Sequence, residues 1–145
     1  MNPLEIFIKP WQQASQEAYL IRKKVFIEEQ GVPEAMELDE FDPTAQHALA
    51  YIDSECVGTA RLVTLAENIG RIGRMAVLKE ARGRGYGARL LQALIRCARE
   101  RDHKEVRLSA QRTAQRFYAA HGFVEVGEPF DEVGIPHVEM RLVLV

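Results

Sequence analysis

The chain has 145 residues, 47% of them hydrophobic and 28% charged, with a formal net charge of −2 and a pI of about 6.1. That suits a single domain, residues 1–145, with a sizeable buried core. The charge balance gives no overall pull toward nucleic acid, and no apolar run or leader-type segment suggests a membrane or an export route, so a soluble cytoplasmic protein is expected.

Cys56 and Cys97 form no C-x-x-C pair and read as free thiols. Charge is unevenly spread. Seven acids and no Lys or Arg lie from Glu28 to Asp42, whereas nine Lys or Arg face four acids from Lys79 to Arg107. An acidic and a basic patch would suit a cationic substrate and an anionic cofactor; two solvated faces are the plainer alternative.

Leu4 to Lys9 alternates as a first strand, ended by Pro10. Ser15 is a candidate N-cap for a helix to about Glu29, with Ala14, Ala18, Ile21 and Val25 on one face and Phe26 widening it. Gly31 and Pro33 stop that helix. An acidic loop with room for a helical turn spans Glu34 to Thr44. His47 to Asp53 and Cys56 to Leu65 read as a hairpin turning at Asp53-Ser54-Glu55, and a turn at Glu67 to Gly70 leads into a third antiparallel strand ending near Leu78.

A long helix from Gly85 to Arg101 carries Leu90, Leu91, Leu94, Ile95 and Ala98 on one face. The next strand, Val106 to Ala110, must then pair in parallel through a right-handed crossover. Thr113 to His121 reads as a short helix, Phe123 to Glu128 as a strand, Pro129 to Gly134 as a loop, and Pro136 to Val145 as a last strand. These elements predict a mixed sheet with helices on its faces, an α/β or α+β fold.

The densest signal is the turn Arg82-Gly83-Arg84-Gly85-Tyr86-Gly87 between strand and helix. Glycines there allow positive φ and close approach of a ligand to the backbone. The first amides of a helix lack internal partners and carry partial positive charge, so a pyrophosphate is the natural occupant. A Walker A loop would need Lys-Ser or Lys-Thr where Ala88-Arg89 stands. The dinucleotide fingerprint fits formally at Gly83, Gly85 and Ala88, but Glu105 begins the following strand instead of ending it, where the ribose-binding acid belongs.

The third template, Arg/Gln-x-x-Gly-x-Gly/Ala, resembles the acetyl-CoA signature of the GNAT N-acetyltransferase superfamily. A second stretch, Ala114 to Phe123, is similar to that family's A-x-x-F-Y-x-x-x-G-F segment. Val25 to Pro33 and Gly134 to Met140 resemble a bacterial subgroup of acetyltransferases known mostly by prediction. The resemblance implies a mostly antiparallel mixed sheet of six to seven strands with helices on both faces. It implies strands that splay near Val77 and Leu108, with pantetheine in the gap on the backbone of Met75, Ala76 and Val77. Pyrophosphate would sit on Arg82, Gly83 and the amides of Arg84, Gly85, Tyr86, Gly87 and Ala88. Gln111 stands near where many members carry Asn.

Acetyl transfer to an amine needs a base for the amine, donors for the thioester oxygen and a proton for the departing thiolate. The resemblance makes Tyr118 the general acid. Candidate bases are Glu28 or Glu29 at the end of the first helix, and His137 or Glu139, which share one face of the last strand; histidine as a residue type titrates near neutrality. Arg22, Arg61 and Arg74 either bind an anionic group or form salt bridges. No His/Cys/Asp spacing suggests a metal. The expected activity is acetyl-CoA-dependent N-acetylation of a small-molecule or peptide amine, with no nucleic-acid or membrane partner and with a homodimer through sheet edges as a further expectation. A non-catalytic acyl-CoA sensor and a dinucleotide-binding enzyme are the alternatives.

Overall fold

Seven strands form one sheet in the order β1-β2-β3-β4-β5-β7-β6 in a computed structural model that describes residues 3–144. The strands are β1 (Glu5–Pro10), β2 (Gln46–Ile52), β3 (Glu55–Ala66), β4 (Ile69–Val77), β5 (Glu105–Gln111), β6 (Val124–Glu132) and β7 (Ile135–Val143). Every neighbouring pair is antiparallel except β4 and β5. Helix α2 (Tyr86–Glu100) makes the crossover between those two.

The β2 side chains alternate between two helices. Leu49 packs on Ala14 and Ala18 of α1 (Trp11–Arg22), whereas Ala48 and Ala50 join the main core with Leu90, Leu91 and Leu94 of α2. The apolar face predicted for α2 is buried at all five positions. Helix α3 (Gln115–Ala120) follows β5 through a short 3-10 turn.

The β2–β3 turn is tighter than the sequence suggests. Glu55 pairs with Ile52, so only Asp53 and Ser54 turn, at φ 51° and 68°, the backbone that matches strand twist in two-residue hairpins. Helix α1 begins four residues before Ser15. Its N-cap is Pro10, with φ −70° and an extended ψ of 163°, so the proline that ends β1 also presets the entry into the helix and no side chain caps it.

The helix then continues as a π-helix, Lys23–Glu29, with Gln30 N–H bonded to Val25 O at 3.1 Å. Nothing in the apolar spacing signals that widening. The expected loop at Pro129 is also revised. β6 runs on to Glu132 and closes a hairpin through Val133 and Gly134, at φ 51° and 76°. Pro129 is accommodated because the ladder skips from Val126↔Glu139 to Phe130↔His137, a bulge where no amide proton is needed. Val145, assigned to the last strand from sequence, lies outside the described residues.

Candidate active site

The parallel ladder between β4 and β5 is short. It pairs Ile69 with Glu105, Gly70 with Val106 and Arg71 with Arg107, then stops, while both strands continue. A cleft opens there. On its β4 side the register passes from Thr59↔Ala76 to Arg61↔Gly73, which inserts one extra residue into β4. Arg74 sits in that bulge at φ 52°. A non-glycine residue in the left-handed region persists only where surroundings hold it. Arg74 is held by the Glu37 carbonyl at 3.2 Å and the Asp39 carboxylate at 3.1 Å.

Beyond the bulge, Leu78 N–H bonds Val57 O across β3 at 2.9 Å. The antiparallel alternation therefore turns the amides of Val77 and Met75 the other way, to the edge that β5 has left. Ala76 instead buries its side chain in the main core.

The glycine turn borders the same cleft. Gly83 and Gly85 adopt φ 79° and 80°, and an added Cβ would meet no atom within 4 Å at either. Gly85 is the N-cap of α2 and no side chain satisfies the first amides. Positive φ, open space and unpaired helix amides together make a cradle for an anion. Arg82 is already engaged: its Nε donates to Val77 O at 2.9 Å and its fork grips Glu29 at 2.6 and 2.7 Å.

A cavity of about 790 Å³ joins this cradle to the opposite wall. Met75, Val77, Arg82 and Gly83 line it, as do Gly85, Tyr86, Gly87 and Ala88 from the turn. Gln111, Tyr118 and His137 line it from the β5, α3 and β7 side. Gln111 Nε2 donates across to Gln30 Oε1 at 3.0 Å, at the end of the π-helix. The Tyr118 hydroxyl donates to the Met75 sulfur at 3.9 Å, and burial pushes its pKa up to about 12. His137 is buried and stacks on Phe130. Its Nδ1 donates to Ile135 O at 2.7 Å, and its Nε2 lies 3.4 Å from the Glu132 carboxylate.

Other predicted residues lie elsewhere. Glu28 is exposed on the π-helix and does not line the cavity, whereas Glu29 reaches it through Arg82. Arg84 is exposed and outside the lining. Glu139 is taken up by a two-pronged pair with Arg71, at 2.9 Å on both prongs.

The acidic loop folds back on arginines. Arg22, 1% exposed, bonds Glu37 at 2.6 Å and Asp42 at 2.9 Å. Arg61 bonds Asp39 at 2.7 Å and Asp42 at 2.8 Å. With Arg74 the cluster has three cations and three carboxylates, so Glu37, Asp39 and Asp42 are balanced within it. Burial pushes the Asp39 carboxyl up, but Arg61, Phe41 N–H and Arg74 together outweigh it and hold it at about 2. At Glu37 burial wins over Arg22 and Arg74, and its carboxyl is held above the ordinary range.

Ser109, Gly73, Glu132 and the β6–β7 turn also border the cavity and were not legible as site residues. Ser109 was visible only as part of a strand, and Glu132 fell in the supposed loop.

Comparison with known proteins fits this geometry. Residues 11–144 match the family model described as an acetyltransferase (GNAT) domain. The chain belongs to the GNAT acetyltransferase family. A Bacillus subtilis relative provisionally named as an acetyltransferase is 41% identical over 126 residues, 85% of each chain. The uncharacterized N-acetyltransferase YjcF of Bacillus subtilis is 32% identical over 130 residues, covering 89% of this GNAT chain and 92% of its own. The crystal structure of an acyl-CoA N-acyltransferase from Pseudomonas aeruginosa superposes with a TM-score of 0.88 at 31% identity, covering 97% of this chain and all (100%) of the other. Among the described residues no helix is long and apolar enough to cross a membrane.

Proposed function

We propose that this GNAT protein transfers an acetyl group from acetyl-CoA to the nitrogen of a small amine, by direct attack while both substrates are bound. The observation that carries the reading is the cleft where β4 and β5 part, opening directly onto the unpaired amides at the head of α2. The cradle fits a pyrophosphate, since Gly83 and Gly85 leave its floor clear of side chains. Its amides, from Arg84 to Ala88, would hold the diphosphate, and the free edge of Met75 and Val77 would hold the pantetheine amides.

Acetyl-CoA supplies the activated acyl group and a stable thiolate leaving group. The Val77 N–H is fixed in β4 and turned into the cleft, so it can donate to an oxygen that gains negative charge without any rearrangement. His137 Nε2 is the proton acceptor for the amine, because Nδ1 is committed to Ile135 O. Tyr118, protonated throughout the neutral range, offers a hydrogen bond to the thiolate. A reference thiol near 8.5 lies well below it, so full proton transfer from Tyr118 is uphill and the hydroxyl acts as a stabilising donor.

The test is His137→Ala and His137→Gln in an assay of free thiol release with an amine panel, alongside acetyl-CoA titration. Both variants are expected to lose at least about 100-fold in kcat, the usual weight of a positioned base, with acetyl-CoA affinity unchanged. Full kcat in both would remove His137 from the mechanism.

A further inference from the structure

Gly73 is a glycine that the backbone does not require. Its φ is not positive, and an added Cβ would meet no atom within 4 Å. Contrast Gly58 and Gly70, where a Cβ would strike neighbouring side chains at 3.0 and 2.7 Å. What Gly73 leaves is open volume on the floor of the cavity, which it lines. It pairs with Arg61 in β3. Continuing the parallel register from Arg71↔Arg107 sets it level with Ser109, across the gap where the two strands have separated. The Ser109 hydroxyl is buried there without a hydrogen-bond partner among the described residues.

Charges around this space are nearly all spoken for. Arg61, Arg74, Glu37 and Asp39 belong to the balanced ion cluster, and Arg71 is paired with Glu139. Among the described residues lining the cavity, Glu132 is the carboxylate with no Lys or Arg ion pair, and the His137 ring lies 3.4 Å from it. The rest of this end is apolar: Phe41, Val63, Leu65, Val133 and Ile135. A polycation or an amino-acid carboxylate would find no set of free opposite charges here, and would desolvate its own charges for nothing.

We infer that the acceptor is a slim monoamine with an apolar carbon body, which lies over Gly73 while its ammonium is drawn to Glu132 beside His137. The inference rests on the acetyltransferase reading and adds the acceptor class to it. In balance, the ammonium gives one proton to His137 Nε2; the neutral nitrogen forms its bond to the acetyl carbon as the C–S bond breaks, and the second proton lost from nitrogen ends on the departing CoA thiolate, giving free thiol.

The experiment uses the intact chain with acetyl-CoA and hexylamine, phenethylamine, spermidine and glutamate as acceptors, read by free thiol release. Gly73→Val, Gly73→Ala and Glu132→Gln are compared, with thermal midpoints and acetyl-CoA titrations run on each. The expected result is that the two apolar monoamines exceed spermidine and glutamate in kcat/KM by at least about tenfold. Gly73→Val should raise KM for them by about tenfold or more and Gly73→Ala by less, with acetyl-CoA affinity and midpoint unchanged; Glu132→Gln should raise KM as well. Preference for spermidine or glutamate, absence of turnover with every acceptor despite acetyl-CoA binding, or indifference to both Gly73 variants would each overturn the inference while leaving the cofactor site standing. Failure of acetyl-CoA to bind would instead overturn the reading beneath it.

Discussion

Replacing Arg22 with Met should destabilise the fold strongly, and more so at neutral than at acid pH. The guanidinium is 1% exposed and stacks 5.6 Å from the Trp11 ring. It donates to Glu37 Oε1 at 2.6 Å, Glu37 O at 2.7 Å, and both Asp42 oxygens at 2.9 and 3.1 Å. Met keeps much of the volume but leaves two buried carboxylates short of a partner. Breaking such a pair costs about 3–5 kcal/mol. Asp42 retains Arg61 at 2.8 Å, and Glu37 keeps Arg74 at 3.5 Å, so the lower end, about 3 kcal/mol, is expected.

For a chain of this length that is a fall of roughly 6–12 °C in the thermal midpoint. The pH dependence follows from the carboxyls. Glu37 is already raised by burial, and without Arg22 it rises further; a carboxyl raised in the folded state favours the fold while protonated, and that contribution is lost as pH climbs through its folded pKa. Asp42 is lowered in the wild type, with burial opposed by Arg22 and Arg61, so its contribution is present above the unfolded value and absent in acid. The Glu37 effect makes the deficit larger at about pH 7.5 than at about pH 5, while the Asp42 contribution, present above the unfolded value, is the same at both. Thermal melts of Arg22→Met and the double variant Arg22→Met/Glu37→Gln at the two pH values measure it. A midpoint within about 2 °C of wild type, or a deficit that grows toward acid, would refute the reasoning; partial recovery in the double variant is expected.

Two further outcomes follow from the same structure. Gly70→Ala would press a methyl to within 2.7 Å of the buried His103 ring and 2.8 Å of Leu62; a loss of about 1–3 kcal/mol by chemical denaturation is expected, with acetyl-CoA affinity intact. On the proposed role of Tyr118 as a donor to the thiolate, Tyr118→Phe should lower kcat by roughly tenfold, the equivalent of about 1.4 kcal/mol, and stopped-flow acetyl-CoA binding should not change.

Much of the fold was legible because it rests on local periodicity and turn chemistry. The five buried positions of α2 repeat at helical spacing, and the strand–helix–strand passage leaves only a parallel pairing for β4 and β5. The glycine turn that borders the cavity was legible for the same reason, since Arg82 to Ala88 is one contiguous turn. What was hidden depends on partners far apart in the chain. Arg74 is bent into the left-handed region by acids 35 and 37 residues away, and no local pattern marks it.

The π-helical stretch Lys23–Glu29 has ordinary helical spacing of its apolar residues, so its widening is invisible until Phe26 and Gln30 are seen at the cavity. The acidic run from Glu28 to Asp42 pointed to a cationic ligand, but three of its carboxylates meet Arg22, Arg61 and Arg74 instead. Pro129 misled in the other direction, because a bulge lets a strand carry a proline that a regular ladder would reject.

The central claim is that the turn at the head of α2 holds the diphosphate of acetyl-CoA. Calorimetric titration of acetyl-CoA, and separately of NADH, into wild type and Gly85→Glu tests it most directly. Gly85 sits at φ 80° with open space above it, so glutamate there adds both strain and a negative charge where the phosphates belong. Micromolar acetyl-CoA affinity in wild type, lost in Gly85→Glu, with no NADH binding, is the predicted result. Acetyl-CoA binding equally well to both proteins, or NADH binding in its place, would contradict it.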